Sequence, residues 1–144
     1  MINLLAAFTP VAYTGAWASV VFLGICGVFT ILPGLIHSFL PDGGAETIAR
    51  LQLGDQRDLV IGTFAWAGAT QIVWGMAMLA VALKYRMLVP LFLLLILLER
   101  SLLVTRWWLL GPTVSGHHPP EHYVSAVMLP VLVLFLVLAL RRSA

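Results

Sequence analysis

The stretch MLVPLFLLLILLERSLLVTRWWLL, Met87 to Leu110, decides what kind of molecule this is. Its first half carries no charge at all, and Glu99, Arg100 and Arg106 then interrupt a run of leucine and valine. The stretch is 24 residues long, and a bilayer core of about 30 Å takes about 20 helical residues to cross. Only helices and closed barrels can span lipid, because each backbone polar group must find an internal partner. The run lacks the period-2 alternation of a barrel strand, so it is expected to be a helix.

Working outward, three further runs have the same character. One extends from about Val11 to Leu40 and is interrupted by Pro33-Gly34. Another runs from Leu59 to Leu83 between Asp58 and Lys84, and the last from about Tyr123 to Leu140. Together they predict an all-α, membrane-spanning four-helix bundle forming a single integral membrane domain over residues 1–144, with spans near 11–40, 59–83, 87–110 and 123–140. Thirty helical residues would measure about 45 Å, more than a bilayer core needs. Pro33 removes a backbone donor, so the first helix is expected to be kinked or broken there.

Composition supports this reading and excludes others. Of the 144 residues, 61% are hydrophobic and 10% charged, against about 25% charged in soluble domains. Such a chain cannot clothe a water-facing surface. A net charge of +2 with dispersed charges argues against nucleic acid as a partner. Cys26 is the only cysteine, which excludes an internal disulfide and any multi-cysteine metal or iron–sulfur site. MINLLAAFTPVAYTG lacks the charged segment that precedes the apolar core of a cleaved signal, so the first run is expected to be retained.

Orientation follows from the basic residues. Lys84 and Arg86 join spans two and three, and Arg141 and Arg142 follow span four. An even number of spans places both clusters on one side, expected to be cytoplasmic with both termini. The acidic 1–2 loop and the His-rich 3–4 loop then lie outside. Within the 1–2 loop, AETIARLQLG fits either a short interfacial helix or an irregular loop. Spans one and two are rich in small residues, among them Gly15, Ser19, Gly24 and Gly27 against Gly62, Gly68, Ala69 and Gly75, which favours their close approach.

The intramembrane charges form the leading candidate site. Glu99 lies about 20 Å along the helix from Arg86, somewhat past the bilayer centre, where a charge costs about 2.5–3.5 kcal/mol. Adjacent residues diverge by about 100°, so Glu99 and Arg100 do not simply neutralise each other and need partners in the interior. Arg106, beside Trp107 and Trp108, can snorkel to the interface. Gln71 lies at the centre of span two, flanked by Trp66 and Trp74. Glu99, Arg100, Gln71, Trp66 and Trp74 are therefore the candidate ligand-binding residues. The competing reading is an ion pair that holds the helices in register without any ligand. No residue pattern marks a catalytic centre, and no cofactor is implied.

The second candidate is GHHPPEHY, Gly116 to Tyr123. Proline at the first position, an acid in the first turn and an interfacial tyrosine are what a helix beginning at a membrane surface requires. His118 and His122 are four apart, a spacing two imidazoles can use to share a metal, with His117 or Glu121 as further donors. No metal-protease or comparable fingerprint accompanies them. The expectation is a helix start with no tight, stoichiometric metal; His117, His118 and His122 are the only metal candidates.

The layout resembles the small four-helix membrane proteins described as DoxX-like. The matching features are the acidic 1–2 loop ending in DQRD (Asp55 to Asp58), the glycines at 62, 68 and 75, LLERSLLVTR (Leu97 to Arg106) and MLP (Met128 to Pro130). The likeness covers most of the chain through layout and carries over no catalytic residue. It implies the same fold, and some of that group are associated with quinone-linked redox complexes. Three functions are consistent with these residues. One is the binding of an amphiphile (a lipid, quinone or isoprenoid) near Glu99 and Arg100. Another is an accessory or assembly subunit of a larger membrane complex, and the third a small membrane isomerase using Glu99 for proton transfer. The expected partners are membrane lipids, a small amphiphile or a larger complex.

Overall fold

The computed structural model describes residues 13–111 and 118–141, and among these all regular structure is helical. Four helices follow in order: α1 (Trp17–Phe39), α2 (Arg57–Leu83), α3 (Val89–Val104) and α4 (Pro120–Leu140). Short 3-10 turns at Gly54–Gln56 and Arg86–Leu88 lead into α2 and α3, and a π-helical turn, Thr105–Leu109, extends α3. With their adjoining turns, all four are long and apolar enough to cross a membrane. The fourth begins at Pro120 rather than Tyr123, because proline is tolerated in the first helical turn, where an amide has no partner to give up. The first positions of the expected first span, Val11 and residue 12, lie outside the described residues.

Of the kink or break expected at Pro33, the break does not occur: α1 is one helix from Trp17 to Phe39 with Pro33 inside it. Its neighbours explain the tolerance. Gly27 and Gly34, one on either side of the proline along α1, press against Gly75 and Gly68 of α2. A Cβ on Gly75 would lie 2.6 Å from the Gly27 carbonyl oxygen, and one on Gly68 would lie 2.7 Å from that of Gly34. Both pairs advance by seven residues in opposite senses, so the helices run antiparallel with one face of each presented repeatedly. The glycines let the backbones approach closely, and the side chains of Ile31, Ser38 and His37 of α1 close in around the same positions. Packing of this kind, rather than a hydrophobic driving force, holds helices together in lipid.

The remaining packing is uneven along the helices. α3 and α4 form a second antiparallel pair, and α1 also meets α4. There the Ser19 hydroxyl donates to the Phe135 carbonyl at 2.8 Å, and Phe22 stacks on Phe135 with centroids 4.0 Å apart. Arg86 lies over the Trp17 ring, so the start of α1 shares an end of the molecule with Lys84, Arg86 and Arg141; this is the basic end. The shared apolar core is built from Val20, Leu23 and Cys26 of α1, Met78, Val81 and Ala82 of α2, Val89, Leu93 and Ile96 of α3, and Leu132 and Ala139 of α4. Each of these segments is the half of its helix nearer the basic end. α2 and α3 make few contacts along their whole length, and among the described residues the buried apolar side chains of the four helices meet in that half.

The connection from α1 to α2 is a series of turns, so the short interfacial helix does not form there. Asp42 organises it. Its carboxylate accepts from the amides of Gly44 at 3.0 Å, Glu46 at 3.1 Å and Thr47 at 2.8 Å, an arrangement that competes directly with helix. Gly43 and Gly44 supply the left-handed backbone, with φ of 60° and 77°, which costs glycine little. His37 and the Gly43 carbonyl, 2.6 Å apart, tie the loop to α1.

Two predictions follow from these contacts. Gly75→Ala and Gly68→Ala should destabilise the protein by about 1–3 kcal/mol, since a methyl group at either crossing forces the backbones apart. Gly62→Ala, where a Cβ meets nothing within 4 Å, should be neutral or stabilising by up to about 1 kcal/mol. Thermal unfolding of the three variants in one detergent makes the comparison. For the loop, the Thr47 and Gly44 amides hold the Asp42 carboxyl down at about 2, against the opposing effect of burial. Folding lowers this pKa, so its stabilisation is complete above the unfolded value of about 3.9 and is lost as pH falls through about 2. Asp42→Ala should speed amide exchange at Gly44, Glu46 and Thr47 several-fold at neutral pH, and in the unaltered protein the protection of these amides relative to free peptide should fall as pH drops through about 2.

Candidate functional site

Arg100 sits on α3 with its side chain 16% exposed. Its Nη1 donates to the Glu121 carboxylate and, at 3.2 Å, to the Ser125 hydroxyl, which itself donates to Glu121 at 3.3 Å. Glu121 and Ser125 are four apart on α4 and so face the same way. Glu121 occupies the first turn of its helix, where unpaired amides already favour negative charge. The arginine thus finds its counter-charge at the end of the neighbouring helix, and its long stem spans the difference in depth.

The other members of the expected cluster are distributed differently. Glu99 is exposed and has no hydrogen bond or ion pair among the described residues. It stands seven residues beyond Phe92, hence within about 20° of it around α3. Phe92 stacks on Trp74 of α2, centroids 5.2 Å apart, so Glu99 lies on the side of α3 that meets α2. Trp74 and Trp66, the latter 75% exposed, line a shallow apolar groove along α2 with Ala69, Thr70, Val73 and Ala77. Gln71 turns the other way, three residues before Trp74 and seven before the buried Met78. Its amide oxygen is buried without a hydrogen-bond partner, a state that needs explanation wherever it occurs. The structure therefore joins Arg100 to Glu121 and Ser125. It does not join Arg100 to Glu99 or Gln71, nor Glu99 to Gln71.

The histidine segment belongs to the same hairpin end. The π turn closes through the Leu110 amide and the Thr105 carbonyl at 3.0 Å. A π turn holds more residues than an α turn, so the neighbours Trp107 and Trp108 diverge less and both address α4. Trp108 stacks on His118 at 4.3 Å and 2°, and Trp107 on His122 at 4.6 Å and 22°. The Trp108 indole donates to the His122 carbonyl at 3.3 Å, and Tyr123 meets the Trp108 ring edge-on. Arg106 lies over Trp107 with its guanidinium 5.0 Å from the ring centroid, turned away from Glu121. His117 lies outside the described residues.

The sequence assigns Glu121 to the helix start, or to a metal shared with the histidines, and does not point to Glu121 and Ser125 as partners of Arg100. The available signal was weak. An antiparallel hairpin brings Glu121 closest in depth to Arg106, and only the faces of α3, set by packing, select Arg100 instead. No protein-family model matches this chain, and neither does any curated protein or solved structure.

The pairing predicts a mutant cycle. Glu121→Leu strands a mostly buried cation and should cost about 3 kcal/mol, whereas Arg100→Leu with Glu121→Leu should recover most of that loss. Glu99→Leu, whose side chain leaves no partner behind, should change stability by less than about 0.5 kcal/mol. Unfolding in detergent measures all three. A double variant as unstable as Glu121→Leu would mean the ion pair does not hold the hairpin.

Proposed function

We propose that this protein is a membrane-spanning four-helix bundle, with both termini on the cytoplasmic side, that holds an amphiphile in the lateral opening between α2 and α3. The observation that carries the reading is the uneven core. Buried apolar side chains join all four helices only in the half nearer the basic end, so the other half offers an entry from the lipid. The groove of Trp66, Ala69, Thr70, Val73, Trp74 and Ala77 suits a hydrocarbon or isoprenoid tail, being apolar with two aromatic walls. Glu99, on the side of α3 that carries Phe92, supplies a polar contact for a head group, while Arg100 beside it is held by Glu121 and Ser125. An exposed carboxylate at membrane depth is costly unless something uses it.

The runner-up is an accessory subunit of a larger complex. Leu91, Leu95, Leu98 and Leu102 form an exposed stripe on α3 beside Glu99, a surface that another membrane helix could cover. A small isomerase using Glu99 as a proton carrier would need the same opening.

Native mass spectrometry of protein extracted in mild detergent, with organic extraction of what it retains, distinguishes these readings. The amphiphile reading expects a retained lipid-like molecule, lost several-fold in Ala77→Phe and in Glu99→Gln while unfolding temperatures stay unchanged. Bare protein, or retention indifferent to both changes, overturns it. A stoichiometric protein partner supports the accessory reading. A reporter fused after Ala144 that is active only outside the cytoplasm would overturn the orientation.

A further inference from the structure

The ring nitrogens Nδ1 of His118 and His122 lie 3.0 Å apart at the start of α4. We propose that this pair is a chelating site for an exchangeable divalent transition ion of the copper or nickel type. Two nitrogens bound at about 2.0–2.1 Å in adjacent positions of a square-planar ion are about 2.9 Å apart, whereas a tetrahedral ion separates them by about 3.3 Å. At the observed 3.0 Å one ring donates its N–H to the other; on binding an ion the donating ring carries its proton on Nε2 instead, and the spacing suits two adjacent coordination positions, with imidazole and water a donor set that copper or nickel accepts.

Spacing of four residues alone would leave both rings free to rotate. Here neither ring is free. Trp108 lies flat against His118 and Trp107 against His122, and the Trp108 indole is anchored to the His122 backbone. The two stacks fix the plane of each ring, and the contact between the two Nδ1 atoms sets which edge faces the partner, so α3 restrains ligands that both belong to α4. Metal-binding histidines are ordinarily held in orientation by neighbouring groups, most often through a hydrogen bond to the other ring nitrogen; here stacked indoles restrain the ring planes.

The donor set also sets the character of the site. Among the described residues no group of three histidine, cysteine or acidic side chains comes together, and the Glu121 carboxylate is engaged by Arg100 and Ser125. Water completes the coordination, so the ion exchanges readily and is removed by a chelator. This is a different property from the tight, stoichiometric metal whose absence the sequence predicts. The site lies apart from the α2 groove, and its failure leaves the amphiphile reading untouched.

Stacked tryptophans make the test direct. Protein without a His tag is titrated with copper(II) in detergent at neutral pH, following tryptophan fluorescence and electron paramagnetic resonance. The proposal expects quenching that saturates as a single site under excess copper, reversed by EDTA, with a copper spectrum showing coupling to imidazole nitrogen. His118→Gln and His122→Gln should each abolish that phase, and His37→Ala should leave it intact. Absence of a saturable phase, or one that survives both glutamine variants, overturns the proposal. The nitrogen coupling is read on the unaltered protein, so a spectrum without it overturns the proposal even if a variant fails to fold.

Discussion

Backbone contact between α1 and α2 constrains everything else in this molecule. At Gly27 with Gly75 and at Gly34 with Gly68, the carbonyl of one helix occupies the space where a side chain of the other would stand. That contact commits one face of α2 entirely to α1. The remaining faces of α2 are then determined by rotation about its axis: Met78 towards the core, Trp74 towards α3, and Trp66 and Thr70 out into the groove. Pro33 survives within α1 for the same reason, since contacts on both sides hold the helix where a backbone hydrogen bond is missing.

The second pair of helices is held by different means. α3 and α4 carry no comparable glycine crossings, and their far end is joined by polar and aromatic contacts. Arg100 reaches Glu121 and Ser125, while two tryptophans displaced by a π turn stack on two histidines. An arginine at membrane depth needs an anion, and the first turn of α4 offers one already favoured by the helix dipole. The intramembrane charge and the polar loop, which look like separate features along the chain, form one assembly. The two pairs are thus held by separate sets of contacts, and α2 and α3 meet little.

This division explains how far the candidate site was legible. Arg100 and Gln71 could be recognised as polar groups on otherwise apolar helices, and they do face inward. Glu99 carries the same sequence signal as Arg100, yet it lies on the exposed side, because neighbours on a helix diverge by about 100° and only one of them can face α4. The aromatic sandwiches were not legible at all. Their geometry depends on a π turn, and nothing in TRWWL distinguishes that turn from a continuing α-helix.

By itself the sequence determined that this chain forms helices long and apolar enough to cross a membrane, and nearly where each begins and ends. Those properties are local: hydrophobicity per residue, the rise of a helix and the chemistry of its ends depend on near neighbours alone. Even the end of α4 follows this rule, with Pro120 and Glu121 in its first turn. The tertiary structure decided which residues meet. It paired Arg100 with Glu121 instead of Glu99, kept α1 whole through Pro33, and left α2 and α3 with few contacts. Those outcomes depend on how each helix is rotated about its axis and on which surfaces can approach closely. In a chain whose four helices are apolar nearly all round, the hydrophobic pattern does not encode that rotation; it is set by the few glycines and charges whose partners lie far away in sequence.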